Sequence, residues 1–189
     1  AMRLGFGADA VAAAQTGHDQ PMIRPSASDK YEFEGELAVI IGKPGRHVAE
    51  ADALDHIAGY ACFNDGSVRD WQFHTTQFVP GKNFVDSGAL GPWMVTSDEV
   101  PDPAALRLIT RLNGEEVQNS TTDLLIFSIP RLIAYISTFT NLSPGDVIPT
   151  GTPGGVGARR DPPLWMKPGD VVEVEISSVG TLRNPIQAE

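Results

Sequence analysis

From Lys30 the chain reads Lys-Tyr-Glu-Phe-Glu-Gly-Glu-Leu-Ala-Val-Ile-Ile-Gly, an alternation of polar and apolar positions that passes into an unbroken apolar run closed by Gly42. Such a run predicts a mostly buried strand. After the turn Gly42-Lys43-Pro44-Gly45, apolar Ala51, Leu54 and Ile57 recur at i, i+3, i+6, predicting a short amphipathic helix over 49–58. Tyr60-Ala61-Cys62-Phe63 reads as a second short buried strand. The runs 107–112 and 115–118 flank Asn113-Gly114, the signal of a hairpin closed by a type I′ turn. Ser128 is placed as an N-cap with Pro130 in the first turn, and Ile129, Leu132, Ile133 and Ile136 form one helical stripe that packs on the sheet. Two Pro-Gly turns, at 144–145 and 168–169, each feed a strand. Ahead of all this, 9–15 has helical composition, 16–21 is turn-like and Met22 to Arg24 reads as a short strand.

Carboxylates sit at an odd place in the first strand. Glu34 and Glu36 are two residues apart, so in extended chain they face the same way with Cα atoms roughly 7 Å apart. Buried charge is tolerated when it is paired or binds a metal, and a divalent cation is the natural common partner. Acidic residues at a strand start are also solvated by the preceding loop, and Glu32 is read that way. Downstream, Asp65, Arg69 and Gln72 fall at i, i+4, i+7 and share a face if a helical turn starts at Asp65; the alternative is that Asn64 or Asp65 caps that turn. Phe78-Val79-Pro80-Gly81-Lys82-Asn83-Phe84 and Ser87-Gly88-Ala89-Leu90-Gly91-Pro92-Trp93 are glycine-punctuated segments that let main chain approach a ligand. The stretch Thr150-Gly151-Thr152-Pro153-Gly154-Gly155-Val156-Gly157 offers N–H groups and hydroxyls to a carboxylate or phosphate, or is a simple turn.

Composition narrows the partners. A net charge of −10 argues against nucleic acid or an anionic membrane surface. The single cysteine, Cys62, excludes an intrachain disulfide, and no apolar run is long enough for a membrane span, so a cytoplasmic protein is expected. With 19 glycines and 15 prolines in 189 residues and no repeat period, many turns between short strands fit better than a helical bundle.

Taken in order, Glu34-Gly35-Glu36-Leu37-Ala38-Val39-Ile40-Ile41-Gly42, Asn64-Asp65-Gly66-Ser67-Val68-Arg69-Asp70-Trp71-Gln72, Gly81-Lys82-Asn83-Phe84 with Leu90-Gly91-Pro92-Trp93, and 150–157 resemble the successive signatures of the fumarylacetoacetate hydrolase family, over about 21–187. The resemblance implies an α+β, mainly β fold, a mixed β-sandwich roll with short flanking helices, commonly dimeric, with 21–189 as the catalytic domain and 1–20 as a remnant or lid-flanking segment. It also implies metal ligands at Glu34, Glu36 and Asp65 for Mg²⁺ or Mn²⁺, pocket residues Arg69, Gln72 and Lys82, and a substrate-carboxylate loop at Gly151 and Thr152. Oxygen ligands suit these hard cations better than zinc. The expected activity is hydrolysis of a C–C bond in a small diketo acid. Isomerisation or decarboxylation of a 2-oxo dicarboxylate is the alternative, and a non-catalytic metal-stabilised binding module a third. The family's Gly-x-Asn-Tyr segment and lid, whose His and Glu form a base dyad, have no counterpart before Glu34; His18 resembles the loop after the lid, and the junction near Ala14 to Gly17 is read as the place where the lid is omitted. If the lid is truly missing rather than left out of this sequence, decarboxylation, which needs only metal and enolate stabilisation, gains ground.

Overall fold

A computed structural model describes residues 13–189. Its strands are β1 (Gln15–Thr16), β2 (Met22–Arg24), β3 (Tyr31–Glu32), β4 (Gly35–Ile41), β5 (Ile57–Asn64), β6 (Ser67–Val68), β7 (Gly88–Thr96), β8 (Arg107–Leu112), β9 (Glu115–Thr121), β10 (Val147–Pro149), β11 (Val171–Ile176) and β12 (Gly180–Ala188). Among the described residues there are also the α-helices α1 (Arg69–Gln72) and α2 (Ile129–Phe139) and four short 3₁₀ turns. The chain is mainly β with few helices, as expected. The helical composition of residues 9–12 lies outside the described residues.

Two five-stranded sheets face each other, ordered β1-β7-β5-β4-β10 and β2-β12-β11-β8-β9, with a small pair β3-β6 at one end. Pairing is mixed: β1 with β7 and β2 with β12 are parallel, the rest antiparallel. Leu37, Val39 and Ile41 of β4 meet Val172, Val174 and Ile176 of β11 and Leu182 and Ile186 of β12 in one core, all at most 1% exposed. On its opposite face β4 carries Ala38, which clusters with Ala61 and Phe63 of β5. Burial on both faces is why β4 reads as a continuous apolar run rather than an alternating one.

The hairpin turn is as expected, with Asn113 at φ 54° and Gly114 at φ 82°. Ser128 caps α2 by accepting from the Arg131 N–H. Two local expectations are corrected. The 49–58 segment forms a 3₁₀ turn, Glu50–His56; α2, whose Ile129 and Ile133 lie in the main core with the sheet residues, packs against that turn as well. No helix starts at Asp65: β6 intervenes, and α1 begins at Arg69.

Candidate metal centre

β4 and β5 pair with Glu36 opposite Phe63 and Gly35 opposite Asn64. Even-numbered positions of β4 and odd-numbered positions of β5 therefore share one face. Glu34 and Glu36 continue the row of Ala38 and Ile40 toward one end, while Ala61, Phe63 and Asp65 run beside them. Asp65 thus arrives by strand alternation and not on a helix face; its N–H donates to Glu34 O at 2.9 Å. One carboxylate oxygen from each of Glu34, Glu36 and Asp65 lies within 4.8 Å of the others.

Three further elements converge there. Lys82 ends the 3₁₀ turn Val79–Lys82, and its Nζ donates to Glu34 Oε2 at 2.8 Å and to Asp65 Oδ2 at 2.6 Å. Gly81 packs so tightly on the Gln72 backbone that an added Cβ would overlap it, which fixes the Lys82 turn against α1. Arg69 Nη2 donates to Glu34 Oε1 at 2.6 Å and pairs with Glu32, and its Nη1 bonds Gln72 Oε1. β10 lies antiparallel to β4 with Pro149 opposite Ala38, so the glycine-rich loop leaves the sheet beside Glu36. The Gly151 N–H, at φ +107°, donates to Glu36 Oε2 at 2.7 Å.

Glu32 is the residue that sequence reasoning assigned wrongly. It is 0% exposed, pairs with Arg69 and accepts from the Ala158 N–H. The signal was present, since Glu32, Glu34 and Glu36 keep a period of two, but its partners lie at 69 and 158. Trp93 is 62% exposed, with its indole N–H on Val179 O. Trp71 does pack, edge-on against Phe84 and beside His74. Asp70 accepts from Ser28 Oγ at 2.7 Å.

Electrostatics say what the cluster lacks. Four carboxylates, Glu32, Glu34, Glu36 and Asp65, face two cations, Arg69 and Lys82. With all ionised the set is two negative charges in excess, the charge a divalent cation neutralises. Glu36 shows the deficit most clearly: burial, then the neighbouring Asp65 charge, push its carboxyl up to about 8 against the help of the Gly151 N–H. Burial likewise raises Glu34. Lys82 loses by burial, but Asp65 and Glu34 outweigh that and hold it above the ordinary lysine value. Arg69 is lowered by desolvation and by the exposed Arg159 nearby. The donor set is all oxygen, which fits a hard cation.

Fold and site together define a β-roll with a candidate acidic centre on the face of β4 opposite the main core. The family described as fumarylacetoacetate (FAA) hydrolase C-terminal matches residues 10–187, and this chain belongs to that family. It is 44% identical over 177 residues to the Xenopus laevis protein named oxaloacetate tautomerase fahd2, mitochondrial, covering 93% of this chain and 56% of that protein. Among solved structures it resembles 5-carboxymethyl-2-hydroxymuconate delta-isomerase from Mycobacterium smegmatis, with TM-score 0.86 and 39% identity over 94% of this chain and 66% of the other. Fumarylacetoacetate hydrolase from Exiguobacterium antarcticum superposes with TM-score 0.90 at 38% identity, over 94% and 64%. The chain spans a little over half the length of the curated relatives it matches. No helix among the described residues is long and apolar enough to cross a membrane.

Proposed function

We propose that this chain carries the catalytic centre of a divalent-cation-dependent isomerase acting on a small 2-oxo dicarboxylate, interconverting its keto and enol forms. The observation that carries the reading is the convergence of Glu34, Glu36 and Asp65 within 4.8 Å beside the Lys82 ammonium. Hydrolysis stood first from sequence; the relatives named oxaloacetate tautomerase and hydroxymuconate isomerase favour the alternative, so the order is reversed. All these reactions pass through an enolate, and the isomerases need only move a proton between carbon positions or between carbon and oxygen.

We assign Mg²⁺ or Mn²⁺ to Glu34, Glu36 and Asp65; when bound, the cation supplies Lewis acidity toward the adjacent carboxylate and keto oxygens of a 2-oxo acid. Lys82 Nζ keeps its proton and puts a fixed positive charge where enolate charge develops, with no reorganisation at the moment of reaction. Arg69 and Gln72, tied to each other, orient the substrate; Arg69 in turn is held by Glu32 and Glu34. The Gly151-Thr152 loop receives the substrate carboxylate. Because the Thr152 hydroxyl donates to Gly35 O at 3.0 Å and the Gly151 N–H to Glu36, we assign that contact to the loop's remaining main-chain N–H groups. Arg159, exposed and near Arg69, offers a partner for the second carboxylate of a dicarboxylate. The proposed division keeps 21–189 as catalytic domain, with 1–20 flanking it, and the proposed assembly is a homodimer.

Three substrates separate the readings in the full-length protein with Mg²⁺: oxaloacetate followed both for enol–keto exchange and for CO₂ release, a hydroxymuconate-type diene acid, and an acylpyruvate. Accelerated exchange or double-bond migration without CO₂ release is expected. Acylpyruvate cleavage as the sole activity would overturn the isomerase reading in favour of the hydrolase.

A further inference from the structure

Gln118, on β9 of the second sheet, has no part in the site as described, yet it is 2% exposed and every polar atom of its side chain is engaged. Its Oε1 accepts the Gly35 N–H at 3.0 Å. Its Nε2 donates to Thr152 Oγ1 at 2.8 Å and to Pro153 O at 3.0 Å. The Thr152 hydroxyl closes the ring by donating to Gly35 O at 3.0 Å. The amide can be oriented only one way, since a main-chain N–H demands its oxygen and a carbonyl demands its NH₂.

The ring joins three parts of the protein. Gly35 lies between the two glutamates of β4, Thr152 and Pro153 belong to the glycine-rich loop, and Gln118 reaches across from the opposite sheet. A Cβ at Gly35 would overlap Thr110 Oγ1 and come within 3.3 Å of Gln118 Oε1, so only glycine leaves room for this approach. The same loop is pinned farther on by Arg160 Nε, which donates to Gly155 O at 2.9 Å. Inside the ring the Thr152 hydroxyl has spent its one proton, so its service is to hold the loop while main-chain N–H groups face the ligand.

We infer that Gln118 is a positioning residue that sets the anion-holding loop at fixed height over the Glu34–Glu36 strand, so that carboxylate and cation subsites keep one spacing. The inference deepens the proposed function and rests on its reading of 151–152 as the carboxylate loop. It predicts a separation of effects that a merely structural residue would not give: anion binding suffers far more than cation binding, because Glu34 and Asp65 are held by Arg69 and Lys82 and only Glu36 touches the loop, through the Gly151 N–H.

The probe is oxalate, a planar dianion with the adjacent oxygens of a 2-oxo acid enolate, titrated calorimetrically into the full-length protein at saturating Mg²⁺, with Mg²⁺ titrated alone in parallel. Gln118→Met fills similar volume without hydrogen bonds. Gln118→Glu retains the acceptor for Gly35 while setting an oxygen against Thr152 and Pro153, and keeps the test available if the first variant unfolds. Both should raise the oxalate Kd at least tenfold with the Mg²⁺ Kd within threefold of wild type. An oxalate Kd within twofold of wild type, or Mg²⁺ and oxalate affinities falling in step, overturns the inference. Thr152→Ala distinguishes the levels. If it weakens oxalate while the Gln118 variants do not, Gln118 alone loses its role; if none of the three changes oxalate binding, the carboxylate-loop reading falls with it.

Discussion

Lys82 Nζ stands 2.6 Å from Asp65 Oδ2, so the ammonium is bonded to a carboxylate that also belongs to the proposed cation site. Under the proposed function, lysine and cation are therefore competitors for charge and partners in catalysis. Lys82→Met removes the competitor and should tighten Mg²⁺ binding by roughly tenfold, as expected for one like charge removed near a partly buried site. It should lower turnover by about 100-fold or more, the usual cost of losing one fixed donor at a developing oxyanion. Calorimetry and steady-state kinetics on the same preparation check both; weaker Mg²⁺ binding would show that Lys82 supports the site rather than competing within it.

Glu32 and Arg69 yield a stability prediction. Arg69→Met leaves the fully buried Glu32 carboxylate without its cation, which costs about 3–5 kcal/mol for a broken buried pair. Adding Glu32→Gln to Arg69→Met removes the orphaned charge and should recover more than half of that loss. Urea unfolding of both variants tests this, and a loss under 1 kcal/mol for Arg69→Met would mean that the pair contributes little.

In the cation-free protein the carboxyls of Glu34 and Glu36 are raised, Glu36 to about 8. The native state then holds protons that the unfolded chain has released above about 4.5, so unfolding sheds protons and stability falls as pH rises between those values. Thermal unfolding in EDTA should show Tm falling from pH 5 to pH 8, and excess Mg²⁺ should flatten or reverse the trend by stabilising the ionised carboxylates. A Tm that climbs over this range in EDTA would contradict the burial of these groups as charges in excess.

Much of this centre can be read from sequence because its parts are local. Glu34 and Glu36 follow from a period of two in an apolar strand, and the two glycine-rich segments mark where main chain comes close. What escaped was tertiary. Glu32 looked solvated because nothing near it in sequence reveals Arg69 and Ala158 as its partners. Asp65 was attached to a helix face by spacing alone, whereas antiparallel pairing of β4 with β5 delivers it. Gln118 was invisible in a hairpin strand, since its three contacts lie on β4 and on the loop after β10. The 3₁₀ turn at 50–56 replaced an expected helix because its apolar positions bury only Ala53 against the core, too little to hold a longer element.

The measurement closest to the central claim is the rate of oxaloacetate enol–keto exchange in the full-length protein, with Mg²⁺ titrated and then chelated, for wild type and Asp65→Ala. Exchange in the wild type should rise with Mg²⁺ and return to the uncatalysed rate in EDTA, while Asp65→Ala, folded by circular dichroism, should lose at least 100-fold. Wild-type turnover by Asp65→Ala, or catalysis unaffected by EDTA, would contradict the assignment of Glu34, Glu36 and Asp65 as the cation site.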